Sequence, residues 1–176
     1  VGIATKSLTI VDIVNYQFHG VPLVLQFPYF ISFFLSIVIM QAELEKIPFD
    51  IPEAETEIVA GWKTEFSGKK LALITLTQDL RLLFSSAIIS TIFLGGPYGP
   101  ELFFPQLLFI LDSPLSFLWL AFWFSVKVTV ITLISSNIRA LMARYRADQI
   151  IEGSWKYLFP MTLVLVALIE ITFGGI

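Results

Sequence analysis

Leu115-Ser-Phe-Leu-Trp-Leu-Ala-Phe-Trp-Phe-Ser-Val-Lys-Val-Thr-Val-Ile-Thr-Leu-Ile-Ser-Ser-Asn-Ile138 decides the fold class. Its only charge is Lys127, and about 20 mostly apolar residues suffice to carry a helix across a ~30 Å hydrocarbon core. Three further stretches read the same way. Residues 21–40 hold no charge, and Pro22 and Pro28 fall in the first half, where a kink is tolerable. Residues 71–94 hold Asp79 and Arg81, and residues 157–173 hold Glu170. Residues 103–111 are too short to span and are bracketed by Pro105 and Asp112-Ser113-Pro114, so they read as a helix lying at the surface or dipping into it. Composition agrees. Of 176 residues, 56% are hydrophobic and 14% charged, with a mean hydropathy of +0.83. A water-soluble domain needs about 25% charged residues to cover its surface. The expected fold is an all-α membrane protein, one integral-membrane domain over 1–176. It has about four transmembrane helices, short interfacial or re-entrant helices and a long acidic loop.

Composition also excludes function classes. The net charge of −3 argues against nucleic acid as partner, because phosphate binding needs a basic patch. With no cysteine there is no disulfide, iron–sulfur ligation or thiol chemistry. A single histidine, His19, rules out bis-His haem ligation within the chain and is expected in an outer-face loop without a role. No metal site is expected. Redox chemistry nearby has to be carried by other subunits. No signal peptide is expected, since no basic n-region or small-residue cleavage site is visible.

Lys and Arg set the orientation. Residues 41–70 hold Lys46, Lys63, Lys69 and Lys70, and residues 139–156 hold Arg139, Arg144, Arg146 and Lys156. The 95–114 segment holds none and residues 1–20 hold only Lys6. Four spans put the first two segments on one face, so 41–70 and 139–156 are expected in the cytoplasm.

The first of these loops is also acidic. Glu43, Glu45, Asp50, Glu53, Glu55, Glu57 and Glu65 make up half of the chain's 14 acids. Pro52 suits a first helical turn, the dipole there favours Glu53, Glu55 and Glu57, and Gly61 is a natural stop. A solvated helix with an acidic first turn explains this much. Ile47, Phe49, Ile51, Ile58, Trp62 and Phe66 interleave with the acids, however. Such a surface is neither lipid-facing nor freely solvated, and points to docking against another protein.

Two motifs carry a resemblance. Glu43-Leu-Glu-Lys-Ile-Pro-Phe-Asp-Ile-Pro-Glu-Ala-Glu55, continuing through Glu57-Ile-Val-Ala-Gly-Trp-Lys-Thr-Glu-Phe-Ser-Gly68, resembles the signature loop of the membrane subunit that anchors the peripheral arm of respiratory complex I. That family, which comprises the bacterial membrane-anchor subunit and its mitochondrial counterpart, includes the matching subunits of membrane-bound hydrogenases and ferredoxin-dependent complexes. Arg139-Ala-Leu-Met-Ala-Arg-Tyr-Arg-Ala-Asp-Gln149, with Trp155-Lys156 and Pro160, looks like the family's basic loop before its last span. Leu94-Gly-Gly96, Lys127 and the opening Leu8–Asn15 stretch are also similar, so the likeness covers the whole chain and corresponds to the family's C-terminal half. The chain departs from many quinone-reducing members in three places. Gln78-Asp79 stands where they have Glu-Tyr, Trp62 and Phe66 stand where they have Tyr, and Ala143 replaces a proline.

The resemblance implies a membrane-anchor and coupling subunit of a redox-driven ion pump, not catalytic alone. It implies no cofactor bound by this chain, quinone at an interface, and iron–sulfur and large catalytic subunits as partners at the cytoplasmic loops. Other ion-pumping membrane subunits and the prokaryotic cell membrane complete the expected setting. The implied arm-docking surface comprises the acids Glu43, Glu45, Asp50, Glu53, Glu55, Glu57 and Glu65 with Arg139, Arg144, Arg146 and Asp148. A hydrogenase or sulfur-reductase branch is the alternative within the family. A stand-alone transporter is the alternative outside it, although no internal repeat is visible.

Asp79, Arg81 and Lys127 read as mid-span charges, costing about 2.5 kcal/mol or more unless paired, hydrated or functional. Asp79 and Arg81 point to opposite sides of one helix and cannot pair. Asp79 shares a stripe with Thr75, Ser86 and Ser90, which faces protein or water. Lys127 has only apolar neighbours on its own face, so its partner has to come from another helix or chain. Static interhelical pairs are one explanation. An ion path through Asp79, Arg81 and Lys127 is the one the resemblance favours.

Overall fold

The computed structural model describes residues 1–50, 61–99 and 116–173. Among them every regular element is helical: α1 (Gly2–Thr5), α2 (Ile10–His19), α3 (Tyr29–Glu43), α4 (Lys69–Phe93), α5 (Ser116–Leu141), α6 (Ala147–Gly153) and α7 (Phe159–Phe173), with 3₁₀ turns at Leu23–Leu25 and Gly61–Glu65. Glu53, Glu55 and Glu57, and the short helix expected over 103–111, lie outside the described residues.

Among the described residues, three continuous helices are long and apolar enough to cross a membrane: Lys69–Phe93, Ser116–Leu141 and Ala147–Phe173. Little of each is buried inside the chain, and Phe84, Phe117, Leu118, Leu133, Val164 and Ile171 all face outward. A helix apolar on its outer face belongs in lipid or against other membrane helices. The chain is an all-α membrane protein.

Two boundaries differ from those expected of the sequence. The charge-free run 21–40 is not one kinked helix. Its first part is a 3₁₀ turn, and α3 starts at Tyr29 with Pro28 as its N-cap. Two prolines within seven residues remove two backbone donors, so the helix forms only after the second. At 15 residues α3 is about 22 Å long, shorter than the hydrocarbon core. The stretch 139–156, expected as a loop, becomes helical from Ala147. The Arg146 N–H donates to Gln149 Oε1 at that start. The helix then passes through a π turn at Ser154–Leu158 into α7. Pro160 explains the π turn: its ring would strike the carbonyl four residues back in a regular helix, and a wider turn relieves that clash. His19 ends α2 rather than lying in a loop.

The main core joins α3, α4 and α5 through Phe33, Ile37, Met40, Leu44, Ile89, Phe93 and Ile131. A second cluster packs Leu23 and Tyr29 on Ile169 of α7, with Val1, Ala4 and Phe173 at its edge. Polar contacts fix the register. Gln41 of α3 donates to the Ser135 carbonyl and hydroxyl of α5 (3.0 and 2.5 Å). Thr132 donates to Ser86 (3.3 Å), and Lys127 reaches the end of α4. Helices α4 and α5 therefore run antiparallel, and they are staggered. From Arg81, level with the end of α3, to Leu94 the rise is about 20 Å. From Arg139 to Lys127 it is about 18 Å, and α5 continues roughly 17 Å further to Ser116. Thus α5 continues past the end of α4 by about 17 Å.

Candidate functional site

The charged residues gather at one end of the bundle, where the segment after α3 meets the segment after α5. The Arg144 guanidinium sits 2.6 Å from Asp50 Oδ2, with side chains 26% and 15% exposed. The Tyr145 N–H donates to the Pro48 carbonyl at 3.2 Å, and the Phe49 and Tyr145 rings lie 6.4 Å apart. One ion pair, one backbone bond and one ring contact thus join two segments 94 residues apart in sequence. The turn out of α3 needs a left-handed residue, which is Glu45 at φ 50°. Leu44 closes the core beneath it.

A cavity of about 320 Å³ opens between Val38, Phe49, Tyr145 and the π turn at Ser154. A second, of about 260 Å³, is lined by Glu45, Thr77, Gln78 and Arg81. Beside it Lys63 Nζ donates to Gln78 Oε1 at 2.9 Å. Arg81 approaches Glu43 Oε1 at 3.7 Å and the Glu43 carbonyl at 3.5 Å. Polar groups from α3, α4 and the 3₁₀ turn before α4 converge here.

The residues singled out in the sequence divide accordingly. Glu43, Glu45, Asp50, Arg81 and Arg144 are brought together at the loop end. Glu65, Arg139, Arg146 and Asp148 are exposed on the same end or next to it. Asp79 and Arg81 lie near the middle of α4 (Lys69–Phe93). Arg81 stands level with the C-terminus of α3, because α4 begins well before α3's end is reached, and both Arg81 and Glu43 are open to solvent. Asp79 is exposed. Of its expected stripe, Ser86 and Ser90 are fully buried, Ser86 against Met40 of α3 and Thr132 of α5, whereas Thr75 is exposed and bonds back to its own helix at Leu71 and Ala72.

Lys127 finds partners beyond its own helix, among them backbone carbonyls. Its ammonium donates to the carbonyls of Leu94 (2.5 Å), Gly96 (3.1 Å) and Tyr98. A static Asp79–Lys127 pair is thereby overturned, since Asp79 lies 15 residues or about 22 Å of helix before Leu94. Gln17 of α2 completes the same helix end. It is fully buried, donates to the Thr91 and Ile92 carbonyls (3.4 and 3.0 Å), and accepts from the Leu23 N–H (3.3 Å). Sequence reasoning missed Gln17, Gln41 and Ser135. The available signal was Gly95-Gly96, both at positive φ (74° and 57°), which marks a helix end whose carbonyls need partners. A Cβ on Gly96 would also meet Val14 Cγ2 at 3.2 Å, so α2 docks on that turn closely.

Outside the bundle, Thr9 caps α2 by accepting from the Asp12 N–H (3.3 Å). The Ser7 hydroxyl donates to the Asp12 carboxylate (2.6 Å). With Thr9 it holds that carboxyl below the ordinary aspartate range. Among the described residues no group of three or more His, Asp or Glu could hold a metal ion.

Comparison with known proteins fits this architecture. The model of the NADH dehydrogenase family matches residues 1–170. The chain is 40% identical over 170 residues to the H subunit of the NADH-quinone oxidoreductase of Rubrobacter xylanophilus, covering 93% of this chain and 46% of the relative. Against the same-named protein of Dehalococcoides mccartyi it is 38% identical over 159 residues, covering 90% and 39%. Against that of a Geobacillus species it is 37% identical over 160 residues, covering 91% and 44%. The chain spans less than half the length of these relatives.

Proposed function

Because this chain belongs to the NADH dehydrogenase family, we propose that it anchors the peripheral electron-transfer arm of a complex-I-like, redox-driven ion pump and couples that arm to ion movement. The Asp50–Arg144 clamp carries the reading. It holds two loops rich in charge, and edged by Phe49 and Tyr145, as one platform at one end of apolar helices. A surface with a clamped base and mixed acidic and aromatic rim suits a protein partner better than lipid or bulk water. The arm's iron–sulfur and large catalytic subunits dock there, on the cytoplasmic side, and quinone reacts at the interface; this chain binds no cofactor of its own. The cavity at Glu45, Gln78 and Arg81 opens toward that interface. In this reading Asp79 and Arg81 mark the mouth of the ion path, and Lys127, which meets Leu94, lies on it about 20 Å of helix rise from Arg81. A change of charge in a confined, low-dielectric site shifts neighbouring proton affinities, which is how a redox event at the platform is felt inside the membrane.

Docking is tested with single cysteines in the assembled complex. Thr64→Cys, on the platform, should react with impermeant maleimide from the cytoplasmic side only after the arm is stripped. Leu8→Cys, 91% exposed beyond the far end of α4, should react from the opposite side whether or not the arm is present. Equal labelling of Thr64→Cys with and without the arm removes the docking role. Coupling is tested with Asp79→Asn. Its carboxylate is exposed in this chain, so assembly and electron transfer should persist while ion transport into reconstituted vesicles falls several-fold. Unchanged transport in a fully assembled variant takes Asp79 out of the path.

A further inference from the structure

The π turn that joins α6 to α7 is hollow in two places. One is the cavity of about 320 Å³ already described. The other, of about 200 Å³, opens at Trp155 and Phe159, whose rings stand 5.6 Å apart. Ser154 lines both. Gly153 helps to keep the larger one open. Its φ of −62° is ordinary helix, and a Cβ built on it would meet nothing within 4 Å.

The chemistry of the larger cavity is selective. Val38, Phe49, Ile150 and Leu158 give it apolar walls, and none of its lining residues is charged. Its polar lining can donate: the Ser154 and Tyr145 hydroxyls, and the amide of Gln149, whose oxygen already accepts from the Arg146 N–H (3.1 Å). Apolar walls with a few donors suit an uncharged acceptor that carries hydrocarbon. An ester carbonyl at the root of an acyl chain is such a group. The level also fits. Trp155 and Tyr157 are exposed on this same turn, and exposed Trp and Tyr on a membrane helix mark the headgroup region. Between them stands Lys156, 60% exposed and only loosely paired with Glu152 at 3.8 Å.

We propose that the two hollows at Ser154 hold one diacyl phospholipid, with an acyl chain rooted in each. Its ester carbonyls accept from Ser154, Gln149 and Tyr145, and its phosphate lies beside Lys156. Two hollows meeting at one hydroxyl match the two ester-linked chains of one glycerol. The inference stands on this turn alone and holds whether or not the loops dock an electron-transfer arm.

The test uses the assembled complex in nanodiscs and a diester phosphatidylglycerol with a photoreactive diazirine close to its ester. After illumination the label is located by peptide mass spectrometry. It should concentrate on residues 145–159. Unlabelled diester phosphatidylglycerol should displace it about fivefold better than the diether lipid with the same headgroup, the worth of one hydrogen bond. Gly153→Leu fills the larger hollow and favours helix, so the complex should assemble while the label at 145–159 is lost. Ser154→Ala should bring the two competitors level. Equal competition by the two lipids in wild type, or labelling unchanged by Gly153→Leu, shows ordinary contact with bilayer lipid and overturns the site. Displacement by decylquinone and by neither lipid assigns the hollow to quinone and overturns it too. If Gly153→Leu fails to assemble, Ser154→Ala decides: an ester preference that survives it overturns the proposal.

Discussion

Replacing Asp50 with alanine should separate the two loop segments and lower the stability of the loop end by about 2 kcal/mol. A fully buried pair broken on one side costs about 3–5 kcal/mol. Here Asp50 and Arg144 keep 15% and 26% of their side-chain surface, and solvent screening takes part of that away. In its place the Arg144 guanidinium loses its closest acceptor, while the Tyr145–Pro48 backbone bond and the Phe49–Tyr145 ring contact remain between the segments. Hydrogen exchange at the Tyr145 amide should rise first, and retention of the peripheral arm through detergent purification should fall with it. A double-mutant cycle with Arg144→Ala isolates the pair. A coupling energy near zero would mean that the ring contact and the backbone bond suffice to join the loops.

Gln17→Leu should cost more, about 3–4 kcal/mol, although it exchanges one side chain for another of similar size. The amide of Gln17 serves the Thr91 and Ile92 carbonyls and the Leu23 N–H together, and each buried group left without a partner costs about 1–3 kcal/mol. Gln17→Glu should be worse still, since a carboxylate would face carbonyls at the negative end of a helix. The measurements are the thermal midpoint and hydrogen exchange at the Leu23 amide. A Leu variant as stable as wild type would show that water replaces the amide, and that the end of α4 is wet.

Much of the helical plan is legible in the sequence because lipid-facing surface is written in consecutive apolar residues. The runs containing Asp79 and Lys127 become α4 and α5 almost residue for residue. Composition misleads where backbone chemistry decides. Pro28 starts α3 rather than bending it, and positive charge between 139 and 156 indicates a side of the membrane, not the absence of helix. Lys127 is a harder case. A search for partners among side chains cannot see carbonyls, and only the two glycines after α4 hint that a helix ends there and needs them. The Asp50–Arg144 clamp is half visible: both residues stand out as charged loop residues, but nothing local relates positions 94 apart.

The place of Lys127 along α5 also bears on how this chain responds to the electrical state of its membrane. A charge crossing the full bilayer exchanges about 2.3 kcal/mol with each 100 mV of potential. The Lys127 ammonium stands near the middle of the membrane-length helix α5 (Ser116–Leu141), so any step that removes or restores its charge from one side is weighted by roughly half of that, about 1.1 kcal/mol per 100 mV. About a sevenfold bias in its occupancy would then follow from energising the membrane alone. Voltage is written into this position by nothing more than a single charge midway along an apolar helix.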